Sequence, residues 1–348
     1  MAYTTIDDPS AYHQTITYTG NEASRSITNT GNSDLKPDWV WIKERNNAIS
    51  HRIFDSSRGA TKRMFSNNTD AESTQSNSLT AFNTDGFSLG DGTSVNGNSD
   101  TYVAWQWKAN GGTTASNSDG SITSTVQADT TAGFSIVSYT GTGSNGTVGH
   151  GLGVVPKMYI VKNRNATQPW WTFHTELGGA GNLRLNDTGA DYSDSSVWND
   201  TAPTSSVFSV GTNTGSNGSG NSIIAYCFAE IQGYSKFGSY TGNGSTDGAF
   251  VYTGFKPSFI IMKPSSHATE WTLQDNVRDP INPANNRLIP NDSVVEYTNT
   301  SCLTDFLSNG FKMRTNHPSN NSSGYSYIYM AFAEHPFVSS EGVPVTAK

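Results

Sequence analysis

The stretch GFKPSFIIMKPSS at residues 254–266 decides the fold, because two relatives of it stand earlier in the chain. They are GVVPKMYIVKNRN at residues 153–165 and DLKPDWVWIKERN at residues 34–46. In each line a proline precedes an apolar run that ends at a lysine. Proline lacks a backbone N–H and suits the start of a strand. A run that is apolar on both faces is typical of a central strand. We therefore expect Pro37, Pro156 and Pro257 each to open a central strand.

Each quoted line belongs to a longer unit that starts with Tyr-Thr-Gly and closes with an aromatic residue about 90 residues later. Six anchors keep the same order in every copy: Tyr18, Pro37, Lys43, His51, Phe87 and Trp107; Tyr139, Pro156, Lys162, Trp171, Phe208 and Phe228; Tyr240, Pro257, Lys263, Trp271, Phe311 and Phe332. Self-similarity of this kind predicts an internal triplication.

The segments between the anchors are short alternating runs separated by clusters of Asn, Asp, Gly and Ser, which is typical of small β-sandwiches. The predicted fold is all-β, with three tandem β-sandwich (jelly-roll-like) units. The predicted boundaries are 1–109 for the first unit, 133–232 for the second, and 233–348 for the third with a C-terminal tail. Residues 110–132 are predicted to be a Gly/Ser/Thr-rich linker, and SITSTV within it is a candidate for an extra edge strand. Since about 90 residues can bury a modest core, we expect each unit to be a domain.

The composition excludes several classes of function. The chain has 348 residues, of which 14% are charged, and a formal net charge of -8 without any Lys/Arg block. Nucleic-acid binding needs a basic face, so no nucleic acid is expected as a partner. No apolar run approaches the length of a membrane span. The first residues lack a signal-peptide pattern, so we expect a protein that is kept in the cytoplasm or leaves it by lysis.

Few motifs point to chemistry. The GxGxxG match at residues 141–146 has no helix after it and is interpreted as a hairpin turn. The pair Asp55 and Arg58 recurs as Asp275 and Arg278, and it is interpreted as a local salt bridge. The second copy has Thr175 and Gly178 at the positions that we align with this pair. No enzymatic activity is predicted.

Two further expectations concern charged and metal-binding groups. Lys162 and Lys263 are expected to face Glu230 and Glu334 across adjacent strands. Neither the two cysteines nor the seven histidines have metal-ligand spacing, so no metal and no cofactor are predicted. The acidic, Asn-rich residues 91–100 and 191–194 leave a calcium ion as an open alternative, although neither matches a calcium loop.

Three aromatic residues of the second copy form the candidate binding site. Trp170 and Trp198 have no counterpart among the anchors, and they lie in polar, turn-rich sequence near Tyr192. Exposed aromatic rings suit sugars, and Tyr and Trp are favoured at protein interfaces. The hypothesis is therefore a contact with a glycan or a partner protein; the alternative is that both Trp rings cover the core of the second copy.

Several strings of the sequence resemble a known family: MAYTTIDDPSAY at 1–12, PDWVWIKERN at 37–46, the stretch at 55–90 that starts DSSRGATKRMF, and the stretch at 131–164 that starts TAGFSIVSYTGTG. They resemble repeat-containing virion structural proteins, tail-fibre-like, of tailed phages of the marine and cyanobacterial type. The resemblance covers nearly the whole chain. It implies a component of the virus particle and supplies no catalytic residues.

The resemblance implies a non-enzymatic structural protein of a tailed-phage virion, assembled in the host cytoplasm. The expected role is a surface-exposed appendage, such as a tail-fibre or host-attachment component. The alternative is a capsid decoration protein on the head surface, and a third hypothesis is a glycan-binding or glycan-cleaving tailspike. A glycan-cleaving enzyme would need two facing carboxylates in a cleft. Expected partners are other virion proteins, a host surface glycan and further copies of the chain.

Overall fold

The computed structural model describes residues 3–298 and 300–345. The first unit contains nine strands and one short helix: β1 His13–Thr19, β2 Arg25–Ile27, β3 Trp39–Glu44, β4 Arg52–Asp55, β5 Lys62–Arg63, β6 Ser73–Thr74, β7 Leu79–Phe82, β8 Phe87–Leu89, α1 Thr93–Asn96 and β9 Thr101–Trp107. A 3₁₀ turn, Pro9–Ala11, precedes β1.

The second unit follows with a pair of strands before its own first strand: β10 Ala115–Asn117, β11 Ser124–Asp129, β12 Phe134–Thr140, β13 Gly146–Gly149, β14 Pro156–Asn163, β15 Trp171–His174, β16 Gly181–Arg184, β17 Tyr192–Ser193, α2 Ser195–Trp198, β18 Val207–Val210, α3 Thr214–Asn217 and β19 Ser222–Ala229. A 3₁₀ turn, Thr175–Leu177, follows β15.

The third unit has nine strands: β20 Ser235–Thr241, β21 Phe250–Tyr252, β22 Phe255–Pro264, β23 Thr272–Asp275, β24 Asn286–Arg287, β25 Tyr297–Thr298, β26 Thr304–Leu307, β27 Gly310–Met313 and β28 Ser326–Pro336. The predicted all-β class is confirmed. Among the described residues, no helix has the length and apolar character needed to cross a membrane.

One strand order recurs in the three main sheets. The orders are β1-β9-β3-β4, β12-β19-β14-β15 and β20-β28-β22-β23, and all of these pairings are antiparallel. A smaller sheet covers each main sheet: β2-β8-β7, β13-β18 and β21-β27-β26. This common topology is what three copies of one unit would give, and a triplication as its origin stays a prediction.

The strands that carry the quoted lines are central and buried on both faces, as the sequence predicts. In β3, Val40 and Ile42 pack inside the first sandwich, whereas Trp39 and Trp41 point to the opposite side. The proline does not always open the strand. Pro257 lies inside β22, at a shift in the register with β28, where a missing N–H is tolerated.

The second face of each main sheet packs against the other two units. One central core takes side chains from all three: Trp39 and Trp107 from the first, Phe134 and Phe228 from the second, and Phe332 from the third. Trp107 lies 6.5 Å from Phe228 and 5.6 Å from Phe332 between ring centroids. The three units therefore form a closed ring around a shared core, and each joins the next along a seam that we name by its units: 1–2, 2–3 and 3–1.

The segment predicted as a linker contributes to the fold. Its strands β10 and β11 extend the main sheet of unit 2, since β11 pairs with β12 along its whole length. The predicted edge strand SITSTV overlaps β11, which runs from Ser124 to Asp129. Because this sheet packs into the central core, unit 1 lacks the freedom that a flexible linker would give it.

Candidate functional site

The structure does not bring the three predicted site residues together. Trp170 and Trp198 are both 0% exposed, Trp170 in the central core and Trp198 in the sandwich core of unit 2. Tyr192 is half-buried, and its hydroxyl accepts a hydrogen bond from Arg184 at 2.8 Å. The prediction that Trp170 and Trp198 are exposed contact residues is wrong, because burial of such large apolar rings stabilises the fold more than exposure would.

Trp170, moreover, has counterparts in the other units. The backbone N–H groups of His51, Trp170 and Trp271 each donate to an asparagine side chain, over 2.7–3.0 Å. The residue equivalent to Trp271 is therefore Trp170, one position before Trp171, with which the sequence alignment matched it. A recurring signal could have shown this: the three asparagines end the similar strings RMFSN, NLRLN and RLIPN at residues 63–67, 182–186 and 287–291.

These three rings close the seams. Trp170 Nε1 donates to the carbonyl of Phe65 in unit 1 at 2.7 Å, and Trp271 Nε1 donates to the carbonyl of Arg184 in unit 2 at 3.0 Å. His51 Nδ1 accepts a bond from Trp41, so its Nε2 carries the proton and donates to the carbonyl of Ile289 in unit 3 at 3.0 Å. Each unit thus bonds to the one before it, around the whole ring.

Trp170→Phe should lower the free energy of unfolding by about 1–3 kcal/mol, because the buried carbonyl of Phe65 loses its donor. The matched control is Trp198→Phe, since Trp198 Nε1 has no hydrogen-bond partner among the described residues. The control should lose only packing. Urea unfolding of both variants measures the difference. Equal losses would contradict a role for the Trp170 hydrogen bond.

Buried ion pairs reinforce seam 1–2. Asp55 and Arg58 form an ion pair with each other, and both side chains are 0% exposed. Arg58 also contacts Glu72 at 3.1 Å. Arg164 of unit 2 donates two bonds to Glu72, at 2.9 and 3.0 Å, and Tyr226 of unit 2 donates its hydroxyl to Asp55 at 2.6 Å. The predicted Asp55–Arg58 salt bridge is present, and it belongs to a network that joins two units.

Seam 3–1 repeats this network. Arg278 pairs with Asp275 at 2.7 Å and with Glu296 at 2.6 Å. From unit 1, Arg45 contacts Glu296 at 2.6 Å and Trp105 Nε1 donates to Asp275 at 2.9 Å. Burial by itself raises the pKa of Glu296, but the charges and hydrogen bonds of the two arginines outweigh it and hold the pKa below its usual value.

Seam 2–3 has no equivalent of the buried Asp–Arg pair among the described residues. The register of β14 with β15 places His174 where the other units have Asp55 and Asp275, which corrects the alignment with Thr175. His174 Nε2 bonds to the carbonyl of Tyr329 in unit 3 at 3.1 Å. The pKa of His174 is lowered to about 4 by burial. A neutral ring therefore closes this seam.

The predicted partners of the anchor lysines are wrong. Glu230 pairs with Lys236 and Glu334 pairs with Lys256, each at 2.6 Å. Lys162 instead donates to the carbonyl of Thr69 in unit 1 at 2.8 Å, and Lys263 donates to that of Thr188 in unit 2 at 3.3 Å. These lysines thus serve the seams. Burial lowers the pKa of Lys162 from 10.5 to about 8.

The stability of the chain should depend on pH through Lys162. Between pH 8 and 10.5 the unfolded state holds a proton on this lysine that the folded state has lost, so stability rises with pH there. Relative to Lys162→Met, the parent should gain about 1–2 kcal/mol from pH 7.5 to 9.5. Lys157→Met, on the same strand, is the control. A constant difference between parent and Lys162→Met over this range would contradict the shift.

Several of the described carboxylates have structural partners. Asp279 and Glu334 line one cavity, but Asp279 accepts two bonds from Asn286 and Glu334 is paired with Lys256. Among the described residues, no group of three His, Cys, Asp or Glu side chains could hold a metal ion. In the two acidic stretches, Asp194 caps α2 through the N–H of Ser196, and other carboxylates bond to asparagines.

Comparison with known proteins relates the chain to a protein family. A family model described as "Domain of unknown function (DUF7483)" aligns with residues 8–336. No curated protein and no solved structure matches the chain.

Proposed function

The chain belongs to the DUF7483 family, a domain of unknown function, and we propose that it is a non-enzymatic structural protein of a tailed-phage virion. Its role is that of a surface-exposed appendage, a tail-fibre or host-attachment component, which assembles with other virion proteins in the host cytoplasm. The resemblance of the strings at residues 37–46 and 55–90 to virion proteins supports the proposal.

The observation that carries the proposal is how the chain uses its polar and charged groups. The ion pairs Arg164–Glu72 and Arg45–Glu296 cross seams 1–2 and 3–1. The neutral His174 and the buried lysines Lys162 and Lys263 also bond from one unit to the next. A ring closed on every seam gives a rigid module, which suits a component that must keep its shape on the surface of a particle. An enzyme would instead direct some of these groups into a cleft.

Labelling of intact particles tests the proposal. An antibody against the folded chain, viewed by electron microscopy, should mark the tail, with few copies per particle. Label spread over symmetry-related head positions would favour the capsid decoration role instead. Purified particles without the chain would overturn both roles.

The burial of the two tryptophans changes what we expect of a contact with a host glycan. With Trp170 and Trp198 buried, a sugar contact would have to use other surface residues. Cell adsorption should therefore be unaffected by Trp198→Phe, which alters no exposed atom. Release of reducing sugar from host surface polysaccharide by the purified chain would favour the glycan-cleaving alternative.

A further inference from the structure

The first strand of each unit, β1, β12 or β20, pairs on one side with the closing strand of that unit. In unit 2 its other side is paired with β11. Gln127 of β11 lies opposite Ile136 of β12. Its amide donates to the hydroxyls of Ser56 and Ser57 in unit 1, at 2.9 and 2.8 Å. The added strand therefore does two things: it extends the sheet of unit 2, and it fills seam 1–2 with a polar side chain.

The equivalent space in seam 2–3 is filled differently. The 3₁₀ turn Thr175–Leu177 lies against β20. Leu177 packs on the central core, and Glu176 accepts a hydrogen bond from Ser239 of β20 at 2.8 Å. In this seam the 3₁₀ turn, and not an added strand, lies beside β20.

Seam 3–1 has neither an added strand beside β1 nor a 3₁₀ turn after β23 among the described residues. A cavity of about 220 Å³ lies there, lined by Thr15 of β1 and by Asn276 and Val277 of unit 3. The registers make Thr15 the equivalent of Ile136, and make Asn276 and Val277 the equivalents of Ser56 and Ser57. The cavity is thus the place that Gln127 occupies in seam 1–2.

Two buried polar atoms along this edge lack a hydrogen-bond partner among the described residues. His13 is 3% exposed, and its Nε2, like Oγ1 of Thr15, is buried with no hydrogen-bond partner among the described residues. The backbone N–H of Lys108 donates to the carbonyl of Tyr12, and that of Gly20 donates to the carbonyl of Asp100. By this alternation, the even-numbered residues of β1 form the backbone hydrogen bonds to β9. The backbone groups of Thr15 therefore point away from β9, toward the cavity.

We propose that the edge of β1 is a docking site for an extended segment of a partner polypeptide, which adds a strand beside β1 and places an uncharged polar side chain in the cavity of seam 3–1. The bonds would be those of β-strand addition, with main-chain pairing for affinity and one pocket for specificity. The proposal does not depend on the virion assignment, because it concerns the purified chain.

The shape and charge of the groove select this occupant. Ser10 and Gly31 line the cavity together with the turn at Asn276 and Val277. The equivalent turn of unit 1 lies beside the single added strand β11, so an extended segment is the occupant that we infer. Glu334 also lines the cavity, which disfavours an acidic side chain at that position. An amide is favoured, as the Gln127 contacts show in the filled seam.

The probe is a fluorescent peptide with the sequence of residues 121–130, SITSTVQADT, titrated into the full-length chain. Saturable binding with a dissociation constant below about 1 mM is expected. The same peptide carrying Gln127→Ala should bind at least about fivefold more weakly, since it loses the side-chain hydrogen bonds. Hydrogen exchange of the unaltered chain should slow in residues 13–19 when the peptide is bound.

Thr15→Pro in the chain should weaken binding at least about tenfold, because proline removes the outward N–H while being tolerated on an edge strand. Ser239→Pro, on the covered edge β20, is the control and should bind as the parent does; melting curves check that both variants fold. Absent binding, equal binding by Thr15→Pro, or slowed exchange elsewhere would overturn the proposal. So would a dimer of the free chain that Thr15→Pro dissociates, since a second copy would then be the occupant.

Discussion

Arg58→Leu should lower the free energy of unfolding by about 3–5 kcal/mol, the usual cost of removing one partner from a buried ion pair. Arg58 and Asp55 have side chains with 0% exposure. Without the guanidinium, Asp55 keeps donors from the Tyr226 hydroxyl and from the backbone N–H of residue 58, but no positive charge. Chemical unfolding of the variant and the parent at neutral pH measures the loss.

Unit 2 supplies the compensating change. It has His174 and Leu177 at the positions of Asp55 and Arg58, so the double variant Asp55→His/Arg58→Leu removes the charge together with its partner. The double variant should recover most of the stability, because replacing a whole buried pair is often nearly neutral. Arg314→Leu, which breaks an ion pair whose arginine is 44% exposed, should cost less than about 1 kcal/mol. A single variant as stable as the parent would contradict the role of the seam network.

The sandwich class and the central strands could be predicted because they depend on local patterns. A strand such as β3, apolar at every position from Trp39 to Ile42, must be covered on both faces. What covers the second face is not a local property. The sequence suggested three separate domains, whereas the second face of each sheet contacts the other two units around Trp39, Phe228 and Phe332.

The candidate site failed for a related reason. An alignment of the units through Trp171 leaves Trp170 without a counterpart, because it is shifted by one residue, and in a strand such a slip exchanges the two faces. The polar surroundings of Trp170 in the sequence belong to a seam, where polar side chains from two units bond to each other. Composition alone does not distinguish a seam of this kind from a surface exposed to solvent.

The isolated second unit, residues 110–232, should fail to fold, although it carries a complete two-layer sandwich. Its main sheet would expose the face formed by Phe134, Ile136, Met158 and Phe228, which is buried only when units 1 and 3 are present. It would also lose the carbonyl of Phe65, which Trp170 bonds, and the partner of Arg164. Losing one apolar face of a central sheet costs more than the few kcal/mol by which a domain of this size is stable.

Near-UV circular dichroism and the cooperativity of thermal unfolding measure this on the fragment, with the full chain as control. We expect no near-UV signal from the fragment alone, and recovery of the signal when the fragments 1–109 and 233–348 are added, because the seams consist of non-covalent contacts. A cooperative melting transition of residues 110–232 alone would show that unit 2 is an independent domain. The central core would then be a contact between finished domains, rather than the part of the structure on which all three units depend.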